Sequence, residues 1–430
     1  MATTFFWFRR DLRLTDNNGL YRALKSSNRV QCVFIFDPDI LDKLSNRSDR
    51  RVTFVHQQLE KLNSELIAHG SSLLVLNGRP IDLWKEIMKS NSIDALYANH
   101  DYETYAIKRD DEIKKMLNKN NIAFHTFKDQ VIFEKAEVVK EDATPYTVFT
   151  PYMKKWKLSL QDFHLNPFLN ENYFDHFQKT PPLPIISLKK IGFEKTSDAF
   201  PLLELQEEML QHYHEQRDIP SLPGTSKLSI HLRFGTVSIR SLYYQAMNVS
   251  EKWINELIWR EFYMMILWHF PKVVNDAFKP KYKNLLWLNN EDHFKRWCAG
   301  QTGYPIVDAG MRELNATGWM HNRVRMITAM FLTKYLLIDW RWGEAYFAEH
   351  LNDFELSSNN GGWQWCAGTG VDSAPYFRIF SMDEQTKRFD PEKKYILKWV
   401  PEVDSPSYPK PIVDYKIARE RCLAFYKSQI

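Results

Sequence analysis

Glycine is scarce in this sequence, 15 residues in 430, and four of them fall within one stretch, NNGGWQWCAGTG at 359–370. No G-x-G-x-x-G follows the first apolar run, where the turn reads RRDLRL, so a dinucleotide in the usual Rossmann position is not supported. Cysteine is scarcer still. Cys32, Cys298, Cys366 and Cys422 lie far apart with no C-x-x-C pair, which argues against a zinc site, an iron–sulfur cluster or a disulfide framework. No metal is expected, and a reducing cytoplasm fits. No apolar run approaches the length of a membrane span, and MATTFFWFRRDLRL places its apolar run ahead of the arginines, the reverse of a signal peptide. The expectation is a soluble, monomeric chain with no membrane partner. The net charge of +4 permits a nucleic-acid partner without establishing one.

Aromatic residues are abundant instead: 14 Trp, 20 Tyr and 28 Phe, 14% of the chain. Core packing accounts for most, and stacking surfaces are a further use of such rings. A chain of 430 residues exceeds the size at which one core keeps growing, so two or three domains are expected. TTFFWF, VQCVFIF, SSLLVL, IDALYA and IAFHTF read as five strands separated by helical patterns such as RRVTFVHQQLEKLNSELIAHG. That alternation predicts an α/β domain over 1–132, a five-stranded parallel doubly wound sheet. Residues 133–200, rich in proline and asparagine and without a sustained period, read as a connector. From 201 to 430 the spacing is helical, predicting a larger all-α domain.

Three stretches of that helical domain carry chemistry. In NELIWREF, Glu256, Trp259 and Arg260 stand at i, i+3 and i+4 and share one helical face; an ordinary salt bridge beside a core tryptophan gives the same spacing. In GWMHNRVRM, Trp319, Asn322 and Met326 fall at i, i+3 and i+7, again one face, or a satisfied core amide. In GTSKLSIHLRFG, Thr225, Ser226, Ser229 and Arg233 offer hydroxyls and a cation ahead of a helix. That composition suits a phosphate, and N-capping explains the hydroxyls as cheaply. Trp363 and Trp365, two residues apart, point to opposite sides of a helix, while Gly361 and Gly362 would let its backbone approach a flat ligand.

Taken in order, FFWFRRDLRLTDN, GTSKLSIHLRFG, INELIWREFY, GQTGYPIVDAGMRELNATGWMHNRVRM, IDWRWGEAYF, NNGGWQWCAGTGVDSAPYFRIF and YPKPIVDYKIARER resemble the photolyase and cryptochrome family, with a close match to its class I cyclobutane pyrimidine dimer photolyases. The resemblance runs nearly end to end. It implies an antenna domain at 1–132, an FAD-binding catalytic domain at 201–430, and light-dependent DNA repair. Reduced FAD, as FADH⁻, would pass a photoexcited electron to a dimer flipped out of UV-damaged DNA.

By position in the family's motifs, Trp259 and Trp365 match the tryptophans that pack on the flipped dimer. Glu256 matches the carboxylate at its pyrimidine edge, and Asn322 and Met326 match residues lining the same pocket. Arg217, Arg323 and Arg378 match arginines near the DNA backbone. Tyr213, Thr225, Ser226, Lys227, Leu228 and Ser229 match the phosphate-holding loop of the flavin site. Arg233, Arg260, Arg325, Asp353, Glu355 and Asn359 complete the cofactor set, Asn359 as the amide facing the flavin N5. Trp363, Trp340 and Trp287 match the electron-transfer chain. Histidines mark the Asn322 and Met326 positions in (6-4) photolyases, so cyclobutane dimers are favoured. A second chromophore, methenyltetrahydrofolate or a deazaflavin, is common in the family. Glu103 stands where folate-binding members have a glutamate, and a solvated glutamate at a helix start is the equal alternative. The chain departs from the family at Glu355, usually aspartate, at Ser381–Met382, usually Asn-Pro, and at Ile230. The competing reading is a cryptochrome-like blue-light photoreceptor that binds flavin and signals; the whole dimer pocket favours the enzyme.

Overall fold

The computed structural model describes residues 2–429. It divides into two compact units, one of Met1–Glu134, Leu160–Glu204 and Lys227–Gln245, the other of Lys135–Ser159, Leu205–Ser226 and Ala246–Ile430.

In the first unit β1 (Thr3–Phe8), β2 (Val30–Phe36), β3 (Leu74–Asn77), β4 (Ile93–Asn99) and β5 (Ala123–Phe127) form one parallel sheet in the order β3-β2-β1-β4-β5. All five expected strands are present. The third begins three residues later than SSLLVL suggests, because the Ser72 hydroxyl donates to the Pro181 carbonyl at 2.6 Å and accepts from Leu183 N–H at 3.1 Å. The central strands β1 and β2 are buried along their whole length and are dominated by apolar residues, whereas the edge strands β3 and β5 are partly exposed. Along β1, Phe6 and Phe8 join a buried cluster with Leu20, Leu24, Leu59 and Leu62, from α1 (Asn18–Ser26) and α2 (Arg50–Ala68). The alternate residues Phe5 and Trp7 pack with Trp84, Ile113 and Leu117, from α3 (Pro80–Ser90) and α4 (Thr104–Asn118). Helices on both faces make the sheet doubly wound, as expected.

The second unit is helical. Its cavity is lined from α6 (Glu251–His269), α7 (Asn322–Met330), α8 (Trp340–His350) and α9 (Leu356–Ala367), and α5 (Phe149–Ser159) packs behind α6. Its main buried cluster includes Trp297, Trp340, Trp363, Phe331, Tyr335 and Phe347. The 133–200 segment differs from the expected connector: its first part, through Ser159, belongs to the helical unit and its remainder to the α/β unit. The reason lies in FTPYMKKWKLS, where buried Phe149, Tyr152 and Trp156 recur at i, i+3 and i+7 and Pro151 sits in the first turn, where it costs no hydrogen bond. Residues 227–245 likewise group with the α/β unit and not with the helical one.

The α/β unit is held by a buried charge centre. Asp129 accepts from Arg13 at 2.6 Å, from Arg240 at 2.9 Å and from the Asn18 backbone at 3.1 Å. Burial pushes its carboxyl pKa up, but the two guanidiniums win and hold it below the ordinary value. Its contribution is therefore present at neutral pH and lost as pH falls below the ordinary carboxylate range. Asp129→Asn leaves buried Arg13 without its carboxylate partner and Arg240 with Asp16 alone, and should cost about 3 kcal/mol, read as a lower urea midpoint at pH 7.

Candidate flavin and lesion site

A cavity of about 420 Å³ opens in the helical unit, within the range of roughly 300–1,000 Å³ typical of small-molecule sites. Helix α6 contributes Glu256, Trp259, Arg260 and Tyr263 to its wall, α7 contributes Asn322, Arg323, Arg325 and Met326, and α9 contributes Ser358, Asn359, Gly362, Trp363, Trp365 and Cys366. The face expected of NELIWREF is real. In the second stretch Asn322 and Met326 reach the cavity and Trp319 does not join their face. Gly318 ends the preceding helix in the left-handed region at φ 70°, and α7 begins only at Asn322.

The start of α7 is set by His321, whose Nδ1 accepts the Arg323 N–H at 3.1 Å and caps the helix. Capping requires a neutral ring. Burial lowers the imidazole pKa to about 4, with Asp218 opposing and Arg325 and Arg323 reinforcing the fall.

Charged residues around the cavity are paired. Arg217 Nη1 meets Glu256 Oε1 at 2.6 Å, Arg260 Nε meets Glu355 Oε2 at 3.1 Å, and Arg325 Nη2 meets Asp353 Oδ2 at 2.9 Å. Arg323 pairs with Asp218 at 2.9 Å and lies over the Phe389 ring. Burial pushes the Glu256 carboxyl above its ordinary pKa, and Arg217 opposes that shift. Asn359 donates through Nδ2 to the Glu344 carbonyl at 3.0 Å and to Glu344 Oε1 at 2.8 Å. Glu344 thus takes both donors of the amide nitrogen and leaves the amide oxygen of this cavity-lining residue for a ligand.

The aromatic walls are fixed from behind. The Trp259 ring stacks on Phe149 with centroids 3.6 Å apart and planes 6° from parallel. Trp363 is buried against Phe347 at 4.9 Å and Trp297 at 6.0 Å. Both tryptophans of GGWQW border the same cavity, Trp363 buried and Trp365 half-buried. Their glycines divide the work differently from the expectation. A Cβ on Gly361 would stand 2.2 Å from the Tyr263 ring, so that glycine answers to a neighbouring side chain and not to a ligand. A Cβ on Gly362 would meet nothing within 4 Å and would project into the cavity.

Trp340 opens α8 and shares a buried cluster with Trp363, and half-buried Trp287 packs against that cluster. The three candidates of the electron-transfer chain thus lie in contiguous packing that runs from deeply buried to half-buried. Arg378 is exposed. Tyr213, Thr225 and Ser226 belong to the helical unit and Lys227, Leu228, Ser229 and Arg233 to the α/β unit; none of the seven borders the cavity. In the α/β unit, Glu103 Oε1 accepts from Arg10 at 3.0 Å and from Arg233 at 3.1 Å. It is not the solvated glutamate of the simpler reading, and two arginines already occupying one oxygen favour no particular antenna pigment. Among the described residues no group of three or more His, Cys, Asp and Glu side chains is placed to hold a metal, and no helix is long and apolar enough to cross a membrane.

The departures have local reasons. Glu355 serves Arg260, Ser381 caps the helix Met382–Phe389 by accepting the Glu384 N–H, and Met382 and Ile230 are buried. Sequence reading missed Phe149, Glu344 and Trp297. Only the i, i+3, i+7 pattern around Phe149 carried a signal.

A parallel α/β unit and a helical unit with a ring-lined, charge-paired cavity define a cofactor-binding protein. Residues 4–170 match the family model described as DNA photolyase, and residues 253–407 match the FAD binding domain of DNA photolyase. A deoxyribodipyrimidine photo-lyase of Alkalihalophilus pseudofirmus is 35% identical, with 98% of this chain and 97% of that protein aligned. A class III photolyase structure from Agrobacterium tumefaciens is similar at a TM-score of 0.87 and 30% identity, covering 100% of this chain and 98% of that one. An archaeal photolyase structure from Sulfolobus tokodaii with two FAD molecules gives 0.81 and 34%, covering 99% and 100%. The chain belongs to the DNA photolyase family.

FAD fits the residues present. Gly362 leaves its side of the wall bare, Arg260 and Arg325 supply cations, and the buried Asp353 Oδ1 accepts no hydrogen bond within the protein.

The His321 cap makes a pH prediction. Its folded pKa lies below the unfolded value near 6.5, so its stabilisation is complete above that pH and is lost as pH falls toward 4. His321→Asn, a cap that does not titrate, should flatten the fall in melting temperature between pH 6.5 and 4. His321→Ala should lose about 1 kcal/mol at neutral pH.

Proposed function

We propose that this chain is a deoxyribodipyrimidine photo-lyase that splits cyclobutane pyrimidine dimers in UV-damaged DNA under blue light. The observation that carries the reading is one cavity bordered by Glu256, Trp259, Asn322, Met326 and Trp365 together with the flavin candidates Arg260, Arg325, Asp353, Glu355 and Asn359. Lesion and cofactor candidates share one chamber.

Arg260, Arg325, Asp353, Glu355 and Asn359 would hold reduced FAD there, and its chemistry would be to supply the photoexcited electron for opening the cyclobutane ring. The protein's part is to bind, orient and keep water out. A dimer stacked in a duplex cannot reach the chamber and must be flipped, which a damaged pair permits at lower cost. Trp259 and Trp365 then offer ring faces to it, Glu256 and Asn322 offer hydrogen bonds to its polar edge, and Met326 adapts its thioether to the remaining contour. Arg217 holds Glu256 by its Oε1, which orients the carboxylate toward one edge of the substrate. Arg323 and exposed Arg378 serve the phosphate backbone, contacts that set register without reading sequence. Tyr213, Thr225 and Ser226, all of the helical unit, are proposed for the cofactor's phosphates.

Trp363, Trp340 and Trp287 are proposed as the path that returns electrons to oxidised cofactor. The α/β unit is proposed as the antenna domain, and the enzyme as a cytoplasmic monomer. The paired mutant Glu256→Ala/Trp259→Ala should retain flavin absorbance and lose at least about tenfold in repair of irradiated oligothymidine; full repair by that mutant would refute the pocket assignment. Trp287→Phe should slow photoreduction of oxidised flavin several-fold and spare repair by chemically reduced enzyme. Equal loss of both would refute the path.

A further inference from the structure

We infer that Phe149 is a positioning residue for lesion recognition: it locks the Trp259 ring from behind, so that the opposite face is presented ready-made to the flipped dimer. The inference rests on the repair reading of the cavity. Phe149 is buried and opens α5, a segment whose proline-rich surroundings read as connector.

Its ring lies against Trp259 at 3.6 Å and 6°, face to face, while Phe262 meets Trp259 edge-on at 5.6 Å and 83°. Tyr263 stands a further 5.5 Å from the indole, inclined by 30°. Rotation of Trp259 about its side-chain bonds would drive it into one of these rings. Trp259 also borders the cavity, so the face turned away from Phe149 is the one available to a ligand. An indole already immobile gives up no further freedom when a substrate stacks on it, which is the general gain of preorganisation.

Helix α5 is itself anchored at both ends. Trp156 Nε1 donates to buried Glu261 Oε2 at 2.6 Å, tying α5 to the same helix that carries Trp259. The Phe149 backbone N–H donates to Asp372 Oδ2 at 3.1 Å, tying it to the turn that follows α9, the helix of Trp365. Phe149 therefore links the ring of Trp259 to the turn that follows the helix of Trp365.

The test is dark binding of flavin-loaded enzyme to UV-irradiated and unirradiated oligothymidine, with flavin content and melting temperature measured on each variant. Phe149→Leu should weaken binding of the irradiated strand about tenfold, leaving flavin content and unirradiated binding unchanged. Phe149→Tyr, which keeps the ring, should restore wild-type affinity. In a Trp259→Ala background Phe149→Leu should add less than twofold, because it has no ring left to position. If the leucine variant does not fold, Phe149→Met, flexible and of similar volume, takes its place. Equal weakening of both strands, or full additivity with Trp259→Ala, would overturn the inference. Wild-type affinity in Phe149→Leu beside a defective Trp259→Ala would overturn it alone, whereas a wild type that does not prefer the irradiated strand would overturn the repair reading and this inference together.

Discussion

A chamber of about 420 Å³ inside a close-packed helical unit is a standing cost, since close packing is the normal condition of protein interiors. What permits it here is charge pairing around its wall. Arg217 with Glu256, Arg260 with Glu355, Arg325 with Asp353 and Arg323 with Asp218 leave no charge in these four pairs without a counter-charge. A buried charge without a partner is far more costly than a paired one. These pairs also fix the polar groups in place before any ligand arrives. The most buried of them, Arg260 with Glu355, is the one in which the chain departs from the family's usual aspartate. The extra methylene of Glu355 is accommodated, and the ion pair is kept.

The second requirement is rings that do not move. Trp259 is backed by Phe149 and Trp363 by Phe347 and Trp297, so both large side chains reach the cavity with their rotamers already settled. Helix α9 reconciles close packing with open space within two residues. Gly361 lets the Tyr263 ring approach, and Gly362 keeps the cavity wall bare.

Much of this was legible in the sequence, for physical reasons that differ along the chain. The five strands were readable because helices cover both faces of the central strands, which are written as largely apolar runs, and only SSLLVL misled, at an edge where a loop takes the serine hydroxyl. The cavity-lining face of α6 was readable from i, i+3, i+4 spacing. Trp319 was misplaced because periodicity does not see the left-handed turn at Gly318. The connector was misjudged because compositional bias in 160–200 masked the helix just before it. Glu344 had no signal at all: it acts from α8 on an amide fifteen residues later, through a contact that only packing creates. The domain limits suffered for the same reason, since residues 227–245 group with the α/β unit from a distant part of the chain.

Light-dependent chemistry at a thymine dimer is what separates a repair enzyme from a photoreceptor here. The most direct measurement takes flavin-loaded, chemically reduced protein with UV-irradiated oligothymidine and follows the thymine absorbance band in blue light and in darkness. Restored 5,6 double bonds raise that absorbance, and the account predicts a rise in the light alone. An unchanged band under light, from a preparation that retains flavin and still binds the irradiated strand, would contradict it and place the protein with the photoreceptors.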